Sequence, residues 1–212
     1  MSGLAITGAR RLSRLVRRLG LGSEGSALLE FAVALPLLTV FVVGIFDFSG
    51  AFNQKQKLEQ AAQEGAILAA AQPTSDISAS GSANPAGNPL SVQAVVTAVY
   101  NSLVASGVVA SGSCSISPVP APTTYAGLSW TYTITGCTSN SSDNLMITVN
   151  RGWACSSGTP CAAAPPVSVG TMVTVSFPYH WRFNSVIQTL IPGATYSATT
   201  QVTESAISHN QT

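Results

Sequence analysis

The sequence predicts an α+β protein: a long N-terminal helix whose first half spans a membrane, a second helix, and an antiparallel sheet of about four strands. Three observations carry this. An almost uncharged run at 26–48, "SALLEFAVALPLLTVFVVGIFDF", has the roughly 20-residue length of a bilayer-spanning helix. Apolar residues then recur at helical spacing at Val92, Val95, Val96, Val99 and Leu103. From residue 128 the period falls to two, with Leu128, Trp130, Tyr132 and Ile134 alternating with Ser and Thr. Such alternation marks half-buried strands with one wet face.

Residues 1–25 form a basic leader. Arg10, Arg11, Arg14, Arg17 and Arg18 supply five of the nine basic residues, and the segment ends in "LGLGSEG". The net charge of +1 therefore hides an asymmetry: a chain cut after Gly25 keeps four basic residues against seven acidic ones. No basic patch survives beyond the leader, which argues against a nucleic-acid partner. Arginines ahead of the apolar run predict a cytoplasmic N-terminus and an external C-terminus. Pro36 and Gly44 are tolerated within a membrane helix, and Pro36 is expected to bend it.

The continuation at 49–71, "SGAFNQKQKLEQAAQEGAILAAA", meets no breaker before Pro73. Leu58, Ala62, Gly65 and Ala69 make a narrow stripe of mostly small side chains. Span and stripe together predict one helix from about Ser26 to Ala71, roughly 70 Å long. The stripe suits a helix covering the domain's own sheet, or contact between neighbouring subunits in a filament. A Gly/Pro/Ser loop follows at 72–89, and 90–212 is read as an extracytoplasmic domain. There 90–106 is the second helix. Strands are expected around Leu128–Ile134, Leu145–Val149 and Val167–Tyr179, with a weaker one at 195–204. "CTSNSSD", 137–143, is a hairpin loop between the first two strands.

Charged residues make up 8% of the chain, and Ser, Thr, Gly, Ala and Pro dominate after residue 72, which suits an exported β-rich domain. Cys114, Cys137, Cys155 and Cys161 all lie beyond the apolar run; an even count outside the membrane predicts two disulfides. Cys155 and Cys161 bracket only "SSGTP", close enough for a local bridge that would leave Cys114 with Cys137, although four cysteines allow three pairings. Zinc is disfavoured, since no C-x-x-C occurs and His180 and His209 lack ligand spacing to any cysteine. There is no G-x-S-x-G elbow and no phosphate-binding glycine loop. Asp76, Asp143 and Glu204 are scattered among loops and a strand end, and His180 reads as a partly exposed strand-end residue beside Trp181. The expectation is a non-enzyme with no catalytic residue, cofactor or metal.

Glu30 is the anomaly. It lies inside the apolar run, and sixteen uncharged residues separate it from Asp47. A carboxylate costs about 2.5–3.5 kcal/mol at a membrane helix centre and less near the end. Signal peptidase I would cut at the far end of the run, where Ser49-Gly50-Ala51 offers small residues, but the run exceeds a usual signal-peptide core. A plain anchor explains length and orientation but not the acid. A cut on the cytoplasmic side, between Gly25 and Ser26, removes the leader, keeps the helix and makes Glu30 the fifth residue of the product. The new ammonium of Ser26 could then meet a neighbour's Glu30 in an assembly of staggered helices, and an unpaired charge becomes a reason to associate.

Gly25 before the cut, Glu30 at the fifth position after it and a long apolar helix resemble the signal of type IV prepilins and pseudopilins. More narrowly, Glu30-Phe31-Ala32, Pro36 and Asp47 resemble the TadE-like proteins of tight-adherence (Flp) pili, and the late segment "VTVSFPYHWRF…ATYSATTQVTES" is similar to that family's closing strand pair. Two features depart from the pattern: Thr203 stands where a basic residue often precedes the last Glu, and the domain is longer and richer in cysteine. The related TadG-like class stays open beside it. The resemblance implies a pilin-like fold and processing by a prepilin peptidase. It also implies residence in the inner membrane with a periplasmic domain, passage to the pilus or cell surface after assembly, and partnership with other pilins, minor pilins and the pilus assembly machinery. Its role would be assembly or priming of an adhesive pilus. The alternative is a membrane-anchored periplasmic ligand-binding module unrelated to a pilus, holding its ligand with Trp130, Trp153 and Trp181.

Overall fold

In the computed structural model the described residues are 23–77, 87–110, 112–126, 128–138, 143–154, 169–183, 193 and 199–211. Helix α1 (Ser23–Ala71) runs without interruption through Pro36, and α2 (Leu90–Ala105) follows the loop. Five strands come next: β1 (Thr124–Ala126), β2 (Ser129–Thr135), β3 (Asn144–Ala154), β4 (Val169–His180) and β5 (Thr199–His209). They form one antiparallel meander in sequence order, as strands consecutive in sequence tend to do. The class is α+β, with both helices on one face of the sheet.

The sheet exceeds the expected four strands by one. β1 pairs with β2 through Thr124↔Thr131, Tyr125↔Trp130 and Ala126↔Ser129, and three residues are too few to register as a period. β3 runs beyond Val149 because one extra residue is accommodated: Asn150 pairs with Met172 and Trp153 with Gly170, a bulge that lets the ladder resume. β5 extends past the expected Glu204 to His209, where Ala206 and Ser208 continue to alternate in burial with Ile207 and His209.

Alternation decides which face is covered. Trp130, Tyr132 and Ile134, then Leu145, Ile147 and Val149, then Val173, Val175 and Phe177 turn inward and are buried. Against them pack Val92, Val95, Val96, Val99 and Leu103 of α2 and Leu58, Ala61, Ala62, Ala66 and Ala69 of α1. The opposite face is dressed in hydroxyls, with Thr131 bonded to Thr148 (3.0 Å) and Ser176 to Thr203 (2.7 Å). The small-residue stripe of α1 is therefore spent inside its own domain. A Cβ on Gly65 would stand 2.5 Å from Val99 Cγ2 and 3.2 Å from Val173 Cγ1.

The strands lie nearly along α1. Gly65 faces Val173, and Gly50 faces Tyr179. Fifteen helical residues cover about 22 Å at 1.5 Å per residue, and six strand residues about 20 Å. β4 descends the helix toward Asp47, and β5 climbs back until the Gln211 N–H meets the Ala70 carbonyl at 3.4 Å.

Buried polar groups finish the helix ends. Arg151, only 3% exposed, donates to the carbonyls of Gln72 (2.7 Å) and Pro73 (3.0 Å) just beyond α1. A guanidinium there satisfies two carbonyls of the segment that leaves the helix, and its charge suits the C-terminal end of the dipole. Burial lowers the Arg151 pKa, and the negative charge of Asp76 works against that shift. Asp76 Oδ2 in turn accepts the Ser91 N–H at 2.8 Å in the first turn of α2.

Candidate functional site

Two regions of α1 carry the candidate residues. In the first, Gly25 and Ser26 sit exposed in the opening turns, with open space around the Gly25 Cα. Glu30, Phe31 and Ala32 are exposed as well, and Glu30 shares a shallow surface with Ser26, Leu29, Val33, Ala34 and Leu37. Pro36 offers no N–H to the Ala32 carbonyl four residues back. The helix is long and apolar enough to cross a membrane, and no residue of its most apolar stretch is buried within the described chain. Leu28, Leu29, Phe31, Val33, Leu37, Leu38, Phe41, Ile45 and Phe46 all point outward. Apolar surface on this scale needs lipid or protein around it.

The second region begins at Asp47, where burial starts. Asp47 is 5% exposed. Its Oδ2 accepts the backbone N–H of Phe183, and the Tyr179 hydroxyl donates to its carbonyl (2.9 Å) and leans toward Oδ1 (3.3 Å). Burial, the Asp47 charge and that hydrogen bond all raise the Tyr179 pKa above its ordinary value, with Arg182 opposing. The end of β4 is thus moored to the helix where the apolar run stops. Gly50 leaves room for this: a Cβ there would meet Tyr179 Oη at 2.6 Å. Its smallness serves packing, one turn above Asp47.

Sequence reasoning missed one cluster here. His180 Nε2 pairs with Asp143 Oδ2, the same carboxylate oxygen accepts from Thr138 Oγ1 (2.7 Å), and His180 Nδ1 lies 3.3 Å from Thr199 Oγ1. Residues 37 positions apart are drawn together because Asp143, just before β3, and the β4–β5 ends lie at the same end of the sheet. The cluster ties Thr138, just after β2, and Asp143 to the end of β4. Trp181 stands beside it, edge-on to Phe48 (5.4 Å) and Tyr179 (5.0 Å), with its indole N–H on Thr200 Oγ1. Between α1 and this end of the sheet lies an open cleft of about 750 Å³.

The three tryptophans do not converge. Trp130 is buried in the core, Trp153 pairs with Gly170 at the far end of β4, and Trp181 follows His180 about 33 Å away along the strand. Cys114 and Cys137 are bonded, fastening the loop after α2 to the end of β2. Cys155 and Cys161, with the local bridge expected between them, lie outside the described residues, as does the leader through residue 22. Among the described residues no three His, Cys, Asp or Glu side chains gather as metal ligands. Glu204 sits on the inner face of β5 and pairs with Lys55 of α1 at 3.5 Å.

The helix that carries Glu30 also decides the comparison with known proteins. Residues 25–66 match the family model described as TadE-like protein. The TadE-like match begins at Gly25, takes in Glu30, Phe31, Ala32, Pro36 and Asp47, and ends within the half of α1 that packs on the sheet. It ties this segment to a family associated with tight-adherence pili, which is not an enzyme family. No curated protein and no solved structure matches the chain.

Proposed function

We propose that the chain is a minor pilin or pseudopilin of a tight-adherence (Flp) pilus. A prepilin peptidase cuts it between Gly25 and Ser26, and the product assembles into, or primes, the fibre and contributes to surface adhesion. One observation supports this above the others: a single carboxylate, Glu30, on an outward-facing apolar helix that begins its TadE-like match at the residue before the cut. Before processing, residues 26–48 hold the chain in the inner membrane, with the leader cytoplasmic and the sheet domain periplasmic, where the Cys114–Cys137 bond is stable. The scissile bond lies in the first helical turns, and glycine there lowers the cost of unwinding by about 1 kcal/mol relative to alanine. The Ser26 ammonium of one subunit then pairs with Glu30 of another, so that the desolvation cost borne by a lone carboxylate is offset by assembly.

Intact mass and N-terminal sequencing of chain expressed in membranes, with and without an active cognate peptidase, test this directly. The expected product starts at Ser26; a chain still starting at Met1 beside a working peptidase contradicts the proposal. Glu30→Ala is expected to be cleaved normally and to lose incorporation into pili. Normal piliation in that variant would make the charge incidental.

A further inference from the structure

The cleft at the foot of the sheet has chemistry that pilus assembly through Glu30 does not use. Its walls come from both halves of the molecule. Val43 and Phe46, from the apolar run, line its lower side, and Lys57, His180 and Arg182 line it with Trp181. Both carboxylate oxygens of Asp47 are engaged by Tyr179 and Phe183. His180 is held by Asp143. Among the described residues Lys57 has no ion-pair partner, whereas its neighbour Lys55 pairs with Glu204.

Position matters as much as charge. Asp47 closes the apolar run, so the cleft opens where hydrocarbon gives way to the headgroup layer, about 5–8 Å deep on each side of a bilayer. Phe48, Tyr179 and Trp181 cluster at that level, as aromatic residues do at membrane interfaces. Lys57 lies ten residues higher on α1, about 15 Å along its axis. Helical side chains lean toward the N-terminus, which carries its ammonium down toward the membrane. A cleft with an apolar lower wall and a cationic upper wall, open at this height, fits an amphipathic anion. Its volume, about 750 Å³, is that of an ordinary small-molecule site.

We propose that this cleft binds the phosphate headgroup of an anionic phospholipid, with Lys57 as the principal cation and Val43 and Phe46 against the start of the acyl chains. The site rests on the reading of residues 26–48 as a membrane span. A free phosphate would satisfy Lys57 but leave the apolar wall wet, which is why the lipid is favoured.

The test uses the full chain reconstituted in vesicles of phosphatidylcholine alone or of phosphatidylcholine mixed equally with phosphatidylglycerol. After mild detergent extraction, native mass spectrometry reads the lipid retained per chain. Phosphatidylglycerol is expected to be retained in preference to phosphatidylcholine. Lys57→Gln should lower that preference about five-fold, the effect of one basic residue at an anionic surface. Lys57→Arg should keep it, as should Lys55→Gln, whose charge lies outside the cleft. Unchanged thermal melting of the variants separates loss of binding from loss of fold. Equal retention of both lipids, an equal fall with Lys55→Gln, or release of the lipid by millimolar inorganic phosphate each overturns the site. A chain that carbonate extracts from both vesicle types overturns the span and the site together. One that stays inserted without lipid preference overturns the site alone.

Discussion

At the scale of single residues, the side chains that matter most to the described structure are polar groups in places that alternation or hydropathy would reserve for carbon. Asp47 is the clearest. Replacing it with alanine leaves the Phe183 N–H without its acceptor, which costs about 1–3 kcal/mol when the donor stays buried. Asp47→Ala is expected to lower stability by that amount and to speed amide exchange at Phe183 more than at Val173, in hydrogen-exchange measurements. Tyr132 gives a pH signature. It is fully buried with its hydroxyl on Asn88 Oδ1 at 2.7 Å, and burial pushes its pKa well above the ordinary value. The native state therefore holds a proton that the unfolded chain releases above a pH of about 10. Stability is full below that pH and falls as it rises further. Tyr132→Phe should cost about 1 kcal/mol at neutral pH and give a shallower alkaline decline in urea midpoints; an unchanged slope would assign the decline elsewhere. Arg151 was legible in principle, since it shares the parity of Leu145, Ile147 and Val149 and so had to face inward. The His180–Asp143 pair was not, because nothing local in a sequence reports which turn lies beside which strand end.

At the scale of elements, α2 and the three strong strands followed from periodicity, and α1 from the length of its apolar run together with the stripe that continues it. A helix of 49 residues with an unbroken apolar half leaves little choice. What periodicity left undecided was the partner of the small-residue stripe, for a stripe of Ala and Gly fits a sheet or a neighbouring helix equally well. The described structure gives it to α2 and β4. Gly65→Val tests this closeness. Its Cβ would enter the space of Val99, a β-branched side chain on α2 with little freedom to turn aside. Overpacking of this kind costs about 1–3 kcal/mol, and a drop in melting temperature without loss of membrane association is the expected outcome. β1 escaped notice for want of length, and the true limits of β5 for want of a strong apolar face: its inward residues are Val202, Glu204, Ala206 and Ser208.

At the scale of the whole molecule, one helix serves two environments. Below Asp47 most of its large apolar side chains, from Leu28 to Phe46, are exposed; above it, from Leu58 on, one face is lost in a core shared with α2 and the sheet. In buffer without detergent the full chain is expected to associate through the exposed surface from Leu28 to Phe46. Sedimentation should show large species that detergent returns to a discrete small one, with the circular dichroism of the sheet domain unchanged. Fold class, apolar run and TadE-like segment could all be read from the first 71 residues and the later alternation. The cleft could not, because its walls come from segments over a hundred positions apart.

The parallel course of sheet and helix has one more result. β5 ends the sheet, so among the described residues its outer backbone edge has no neighbour, and an open edge invites a strand from another molecule. Yet β5 rises in the same sense as α1. On the proposed reading of α1 as a membrane anchor, two chains in one bilayer hold these edges pointing the same way, and orientation alone denies them the antiparallel union of like with like. Like edges held that way are left the slanted parallel ladder, slightly weaker per residue, whereas a strand of opposite heading could pair with β5 in the stronger antiparallel sense.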